Sequence, residues 1–310
     1  MRVVSVVHEL DAGSGVFGDF PTWVPSETPP PDDFDALMVF GGSMHVDQND
    51  KHRWLTPEKA FLREQLERGT PILGVCLGSQ LLAEAAGASP YRSPEPEIGW
   101  YDIEITQAGA ADPVLGPLAP SVELFEWHHY VAPLPPGAVE LARTPACVQA
   151  FRVEGKPAWG LQFHAEVTRK DLFSWLDGWE MSEAPSTSFD PERIRAASEQ
   201  RIEEQNGVGR GIAARFLAEA ARATALAHSL CLLHDMYAKG RWSQPGGLDP
   251  GSSVPVVGAA GGGGAGGAAT SAPSASTGSP RRSFSSKNRT AAASALSGAR
   301  TSRTISSDSV

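Results

Sequence analysis

The segment that most constrains this chain is 71–86, where an apolar run precedes a Gly-x-Cys-x-Gly turn and then a helical pattern. A strand, a sharp turn and a helix in that order form the layout of a nucleophile elbow. The turn needs small residues, because a side chain at Gly74 or Gly78 would crowd the tightly bent backbone. Cys76 would then lie above the first turn of a helix, whose amides favour a thiolate. Most cysteines are simply small buried hydrophobes, so a structural thiol is the alternative.

A candidate base follows another apolar run, at 158–163, which predicts a buried strand. His164 and Glu166 come directly after it and are two residues apart, so in extended chain they point the same way. A carboxylate beside an imidazole fixes its tautomer and stabilises the imidazolium. Taken alone, the pair is equally consistent with a strand end and a solvated acid. Together with Cys76 it predicts a Cys-His-Glu catalytic triad.

A third buried strand is predicted at 34–40, and the glycines Gly41 and Gly42 follow it. Paired glycines after a strand expose backbone N–H groups and allow a ligand to approach closely. A plain strand-to-loop turn would have the same sequence. Beside a reactive cysteine, the pair predicts part of an oxyanion site.

Apolar runs at 3–7, 35–40 and 71–75 alternate with helical patterns, one of them capped by Thr56 and ended by Gly69. The alternation predicts an α/β fold with a mostly parallel sheet and helices on both faces. Ligands of such sheets bind beyond the carboxyl ends of the strands, where the three candidate segments fall. Further strands are predicted at 101–105, 122–127 and 139–142.

The chain changes character beyond residue 240. We expect one domain over 1–240, with a C-terminal helical extension at about 190–230 that consists of helices 191–205 and 207–227. Residues 241–310 are rich in Gly, Ser and Ala and almost lack aromatic side chains. Such a composition cannot bury enough apolar surface to offset the entropy of ordering, so it predicts a disordered tail.

Several sequence blocks resemble class I (triad-type) glutamine amidotransferases, in particular stand-alone members similar to the glutaminase domain of GMP synthase. The resemblance extends over about residues 1–227 and implies a flavodoxin-like amidotransferase fold. The blocks that carry it, in family order, are GGSM at 41–44, GVCLGSQ at 74–80, EIGW at 97–100, WHH at 127–129 and LQFHAEVT at 161–168.

The resemblance assigns a role to each matching residue. Cys76 would be the nucleophile, His164 the base and Glu166 its orienting carboxylate. Backbone N–H groups of Leu77 and Gly42 would hold the oxyanion. The substrate-binding residues that it implies are Gly41, Gln80, His128 and His129.

The chain departs from the family pattern in three places. Ser43 stands where a proline usually follows the paired glycines, which changes loop stiffness but keeps the amides. His129 and Tyr130 replace the usual Gly-Asp, in a loop that borders the amino-acid end of the substrate in relatives. Residues 13–33 are rich in Gly and Pro and predict an irregular loop in place of a helix and strand.

Composition narrows the cellular setting. The net charge is −10, and the segment from Gln244 onward carries six cations and two anions, which leaves −14 on the rest. An acidic body argues against a nucleic-acid partner. Three distant cysteines indicate a reducing compartment, and the sequence has no apolar run long enough for a membrane span, so we expect a cytoplasmic protein. No cofactor and no metal site are expected, since His8, His45 and His52 lack metal-ligand spacing.

Three functions remain open from the sequence. The chain would release ammonia from glutamine for a separate synthetase chain, since no ATP-pyrophosphatase pattern follows the triad. Alternatively, it would act as a hydrolase or transferase on other γ-glutamyl compounds. The third alternative is a non-catalytic binding module that retains the fold.

Overall fold

One half of the central sheet consists of five parallel strands. The computed structural model describes residues 1–178 and 190–238, with side chains up to residue 230, all within one compact unit, Met1–Pro245. The predicted tail 241–310 lies outside the described residues, as does most of its boundary with the domain. The parallel strands, in spatial order, are β2 (Thr22–Trp23), β1 (Val3–Val6), β3 (Ala36–Val39), β4 (Ile72–Val75) and β9 (Ala158–Leu161).

The continuous apolar runs of these strands reflect burial on both sides. Met38 and Leu73 pack in one buried cluster, whereas their neighbours Leu37 and Ile72 pack in another. Successive side chains of a strand point to opposite faces, so both faces of the sheet are covered. The helices that cover them are α1 (Leu55–Arg68), α2 (Leu77–Ala85), α3 (Gln107–Ala110), α4 (Arg169–Gly178) and α5 (Pro191–Ala238).

The other half of the described sheet is antiparallel, which makes the sheet mixed. It continues from β9 in the order β8, β7, β5 and β6. The connections at 144–147 and 154–157 are too short for parallel crossovers, which need about a dozen residues. These strands include all three of the further predicted ones and are β5 (Tyr91–Ile105), β6 (Ser121–Val131), β7 (Ala138–Arg143) and β8 (Val148–Val153).

Two local predictions need correction. Thr56 does not cap α1, because the helix begins one residue earlier with Trp54 at the cap position and no side-chain cap bond. Its end at Gly69 is as expected, since that residue is left-handed with φ of 78°. The 13–33 segment contains a strand after all, since β2 pairs with β1.

Helix α5 is continuous where two helices were predicted. A glycine inside a helix costs about 1 kcal/mol relative to alanine, and Gly207 was therefore read as a break. Ile202, Ile212 and Phe216 are buried along the helix, and this tertiary packing extends on both sides of the glycine. A side chain at Gly209 would overlap the Ala165 carbonyl oxygen, so glycine lets the helix approach the segment that carries His164.

A buried ion pair ties β1 to the loop after β3. The His8 Nε2 atom lies 2.9 Å from Glu58 Oε1 on α1, and its Nδ1 atom lies 3.1 and 3.0 Å from the carbonyl oxygens of Phe40 and Gly41. Carbonyl oxygens only accept hydrogen bonds, so Nδ1 donates and the carboxylate favours a proton on Nε2 as well. Burial opposes the charge on His8, but the charge and hydrogen bond of Glu58 outweigh it and the pKa of His8 is raised. This imidazolium therefore holds the paired-glycine loop.

We predict that His8→Ala lowers the free energy of unfolding by about 3–5 kcal/mol, because it leaves the buried Glu58 carboxylate without its partner. The double variant His8→Phe, Glu58→Leu should recover most of that loss, since it removes both charges. Urea denaturation of the three proteins measures the difference. An equally unstable double variant would contradict the assignment of the loss to the unpaired charge.

The same pair predicts a pH dependence. A group whose pKa is higher in the folded state stabilises the fold fully below its unfolded pKa and loses that contribution as the pH rises through its folded pKa. The stability of the wild type relative to the double variant should therefore decline as the pH rises above about 6.5. Denaturation at a series of pH values measures it, and a constant difference would exclude a charged His8.

Candidate active site

Cys76 occupies a strained turn between β4 and α2. Its φ and ψ angles are 52° and −110°, a region that L-residues adopt at a cost of about 1–3 kcal/mol. A β-carbon at Gly74 would lie 2.5 Å from the Gly78 carbonyl oxygen, and one at Gly78 would overlap the Val39 carbonyl oxygen. The turn therefore requires both glycines, as the sequence predicted. It places the thiol at the carboxyl end of β4, where the helix begins.

His164 and Glu166 form a buried pair at the end of the neighbouring strand β9. The Nδ1 atom of His164 lies 2.7 Å from Glu166 Oε1, and both residues are at least 97% buried. The backbone of this segment is anchored on both sides. His164 N–H donates to the Phe125 carbonyl oxygen at 2.8 Å, and Val16 N–H donates to the Glu166 carbonyl oxygen at 2.8 Å.

Cys76 and His164 are electrostatically coupled. Burial disfavours a charged imidazole, yet the charges of Glu166 and Cys76, with their hydrogen bonds, place the pKa of His164 well above its usual value. An imidazole of this kind holds its proton in the resting site. The arrangement therefore favours a thiolate–imidazolium pair, which is the activated form of a cysteine nucleophile.

The paired-glycine loop after β3 lies against this pair. A β-carbon built on Gly41 would be 3.2 Å from His164 Cε1 and 3.6 Å from Cys76 Cβ. Leu77 is the first residue of α2, so its N–H group has no acceptor within the helix. The structure thus brings Gly41, Gly42 and Leu77 to the cysteine from two different elements.

An open cavity of about 350 Å³ lies in front of Cys76 and His164. Its wall is aromatic on one side, with Trp127 and Trp175, and the Trp175 ring meets the His164 ring edge-on at 5.0 Å. The described lining residues are Glu9, Asp11, Ala12, Gly42, Ser43, Cys76, Trp127, His164, Ser174, Trp175 and Gly178.

The charge of the described cavity lining is negative. Glu9 and Asp11 contribute carboxylates, and no Lys or Arg is among the described lining residues. The Glu9 carboxylate accepts hydrogen bonds from the Ser43 N–H at 2.7 Å and from its hydroxyl at 2.5 Å. Ser43, which replaces the usual proline, thus orients one of the two acids. Sequence reasoning missed Glu9 and Asp11, although their position just after β1, at the ligand-binding edge, was a usable signal.

Three predicted substrate-binding side chains are not in the cavity wall. Gln80 donates to the Tyr130 carbonyl oxygen at 2.8 Å and contacts Gln162. His128 is buried beside two carboxylates, and the His129 ring lies 6.5 Å from the His45 ring. Alternation along β6 explains the last two, because Trp127 is the residue of this block that lines the cavity. We therefore leave Gln80, His128 and His129 out of the catalytic set.

Two further observations concern the described residues as a whole. None of their helices combines the length and apolar character needed to cross a membrane. One group, Glu97, His128 and Cys147, has ligand atoms close enough together to share a metal ion, although no metal site was expected from the sequence.

Comparison with known proteins identifies the family. The family model for class-I glutamine amidotransferases matches residues 7–172. A glutamine amidotransferase-like protein YfeJ of Salmonella typhimurium is 30% identical over 65% of this chain and 90% of its own length. One chain of a two-part glutamine-hydrolysing GMP synthase from Ignicoccus hospitalis is 36% identical over 46% of this chain and 73% of its own.

A solved structure gives the same result. A glutamine amidotransferase from Thermotoga maritima superposes with a TM-score of 0.61 and 26% identity, over 69% of this chain and 97% of that protein. The predicted class I amidotransferase fold is thereby confirmed. The chain belongs to the class-I glutamine amidotransferase family.

Proposed function

We propose that this chain hydrolyses the side-chain amide of glutamine through a γ-glutamyl thioester on Cys76. The observation that carries the proposal is the coupling of the Cys76 thiol to the buried His164–Glu166 pair, at the mouth of a cavity. Family membership supports the same chemistry. The carboxylate, imidazole and thiol hold the order that cysteine-based acyl transfer requires.

The first half of the reaction forms the thioester. The Cys76 thiolate attacks the amide carbon, and the carbonyl oxygen becomes negatively charged. Backbone N–H groups of Leu77 and Gly42 stabilise that charge, and one such donor contributes about 2.7–4 kcal/mol. The His164 imidazolium then gives its proton to the leaving nitrogen, and ammonia departs.

The second half regenerates the enzyme. His164, now neutral, takes a proton from water, and the resulting nucleophile attacks the thioester carbon. The C–S bond breaks, glutamate is released, and the proton returns the site to the thiolate–imidazolium pair. Glu166 keeps Nδ1 protonated throughout, so that Nε2 always exchanges the proton.

The ammonia would serve an amidating enzyme on a separate chain. Several relatives are named as one lettered component of a glutamine-hydrolysing GMP synthase, a name that implies a second component. By analogy, we propose a synthetase partner for this chain.

The charge of the cavity supports a second candidate, the hydrolysis of a γ-glutamyl conjugate. Glu9 and Asp11 attract an ammonium group, whereas no described lining residue offers a cation to a free carboxylate. A γ-glutamyl amine that carries a second ammonium group fits this lining better than a γ-glutamyl group attached to an acidic residue.

We predict that Cys76→Ala lowers ammonia release from glutamine at least about 1,000-fold, because the nucleophile is lost. Cys231→Ala, a matched change at another cysteine, should leave the rate unchanged. A glutamine-directed electrophile should label the wild type and Cys231→Ala but not Cys76→Ala, as read by peptide mass spectrometry. Labelling at another cysteine would overturn the assignment of the nucleophile.

Glu166→Gln should lower kcat about 100-fold or more, in the range expected for impaired acid–base catalysis. The glutamine side chain lacks the charge that raises the pKa of His164, so the alkaline limb of the kcat/KM profile should move to lower pH. A reduced rate with an unshifted limb would show that Glu166 has only a structural role.

The two candidate functions separate in one assay. We expect kcat/KM to be higher for γ-glutamyl conjugates of diamines than for γ-glutamyl glutamate if the second candidate is correct. Asp11→Asn should then lower the preference for the diamine conjugates, whereas turnover confined to glutamine would leave the first candidate.

A further inference from the structure

A second cluster of ionisable side chains lies in the antiparallel half of the sheet, outside the catalytic triad. Glu97 on β5 and His128 on β6 are register partners, and Glu126 lies two residues before His128 on the same strand. Cys147 joins them from the connection between β7 and β8. Glu97, Glu126 and His128 are each at most 4% exposed, and Cys147 is partly buried.

The ligand atoms of these residues converge. Nε2 of His128 lies 3.4 Å from Glu97 Oε2 and 3.2 Å from Glu126 Oε2, and Cys147 Sγ lies 3.3 Å from Glu97 Oε2. Ligands at the usual zinc distances of about 2.0–2.3 Å in a tetrahedron are about 3.3–3.8 Å apart. The spacing of the cluster therefore falls at the lower end of that range before any rearrangement.

The hydrogen bonding of the cluster is incomplete. Both carboxylate oxygens of Glu126 and both ring nitrogens of His128 lack a hydrogen-bond partner among the described residues. Buried polar atoms in native proteins are almost always satisfied, by protein, water or an ion. The His128 ring lies close enough to the two carboxylates for charge attraction but is not aligned with them for hydrogen bonds. A cation at the point of convergence would satisfy these atoms.

The chemistry of the donor set selects the kind of ion. Thiolate, imidazole and carboxylate together suit a borderline ion such as Zn²⁺, whereas Mg²⁺ and Ca²⁺ take oxygen ligands. Gln149 donates a hydrogen bond to Glu97 Oε2 at 2.8 Å, an outer contact of the type that orients metal-bound carboxylates.

We propose that Glu97, His128 and Cys147, with Glu126 as the fourth ligand, form a binding site for one zinc-class divalent cation. Burial and the charge of Glu97 raise the pKa of the Cys147 thiol to about 13, so the free site holds a protonated thiol. Binding therefore breaks the S–H bond, forms the S–metal bond and releases that proton to solvent.

The position of the site suggests a structural role. Glu126 and His128 flank Trp127, which lines the cavity and whose carbonyl oxygen lies 3.8 Å from Cys76 Sγ. An ion held by β5, β6 and the β7–β8 connection would fix this wall. It takes no part in the acyl transfer, so the site is independent of the proposed reaction.

Zinc binding to the full chain tests the proposal directly. After treatment with a chelator and its removal, titration with Zn²⁺ against a competing indicator should give about one ion per chain. Cys147→Ser and His128→Gln should each weaken binding at least about 100-fold, and Glu126→Gln about 10-fold. Cys76→Ala is the matched control, because it removes the other described cysteine and should leave the affinity unchanged.

Two further measurements distinguish a true site from surface binding. Co²⁺ in place of Zn²⁺ should give a thiolate charge-transfer band that Cys147→Ser abolishes and Cys76→Ala retains. Calorimetry in buffers of different ionisation enthalpy should show about one more proton released by the wild type than by Cys147→Ser. Circular dichroism confirms that each variant is folded, and the milder Glu126→Gln serves if Cys147→Ser is not.

The proposal fails if the folded wild type binds no stoichiometric zinc, or if Cys147→Ser binds it as tightly as the wild type. It fails equally if Cys76→Ala removes the binding, since the ion would then belong to the catalytic cysteine. In each of these cases the cluster is a proton-sharing network, with His128 as an imidazolium between two carboxylates.

Discussion

Close backbone packing around Cys76 is the constraint on which the rest of the site depends. The turn holds the cysteine at a positive φ, and the neighbouring backbone leaves no room for side chains at Gly74 and Gly78. That strain is stored because β4 is paired on both sides, with β3 and β9, and its helix is buried. The nucleophile is thus fixed by the most rigid part of the sheet and not by a loop.

The triad segment after β9 has no regular structure of its own and is held from outside. Phe125 on β6 and Val16 in the N-terminal loop hydrogen-bond its backbone, and α5 approaches it closely at Gly209. These contacts come from parts of the chain that are far apart in sequence. The orientation of His164 toward Cys76 is therefore a property of the whole domain.

Buried charge is concentrated around the reaction centre. The His8–Glu58 pair holds the glycine loop, and the cluster around His128 lies behind the wall that Trp127 forms. Each charge is expensive to bury, so partners or an ion must compensate it. Both groups lie outside the reacting atoms, yet they determine the position of the backbone that contacts them.

The sequence by itself determined the elbow, the strands that end in the catalytic segments and the family, because these depend on local spacing and on continuous apolar runs. It did not determine that α5 crosses Gly207 unbroken, since that depends on packing of Ile202 and Ile212 against distant strands. It also assigned His128 and His129 to the substrate, whereas strand alternation and the pairing of β5 with β6 turn His128 toward Glu97. Only the tertiary structure brought Glu9 and Asp11 into the cavity wall and gathered the cluster around His128, because side chains far apart in sequence become neighbours only when the strands pair.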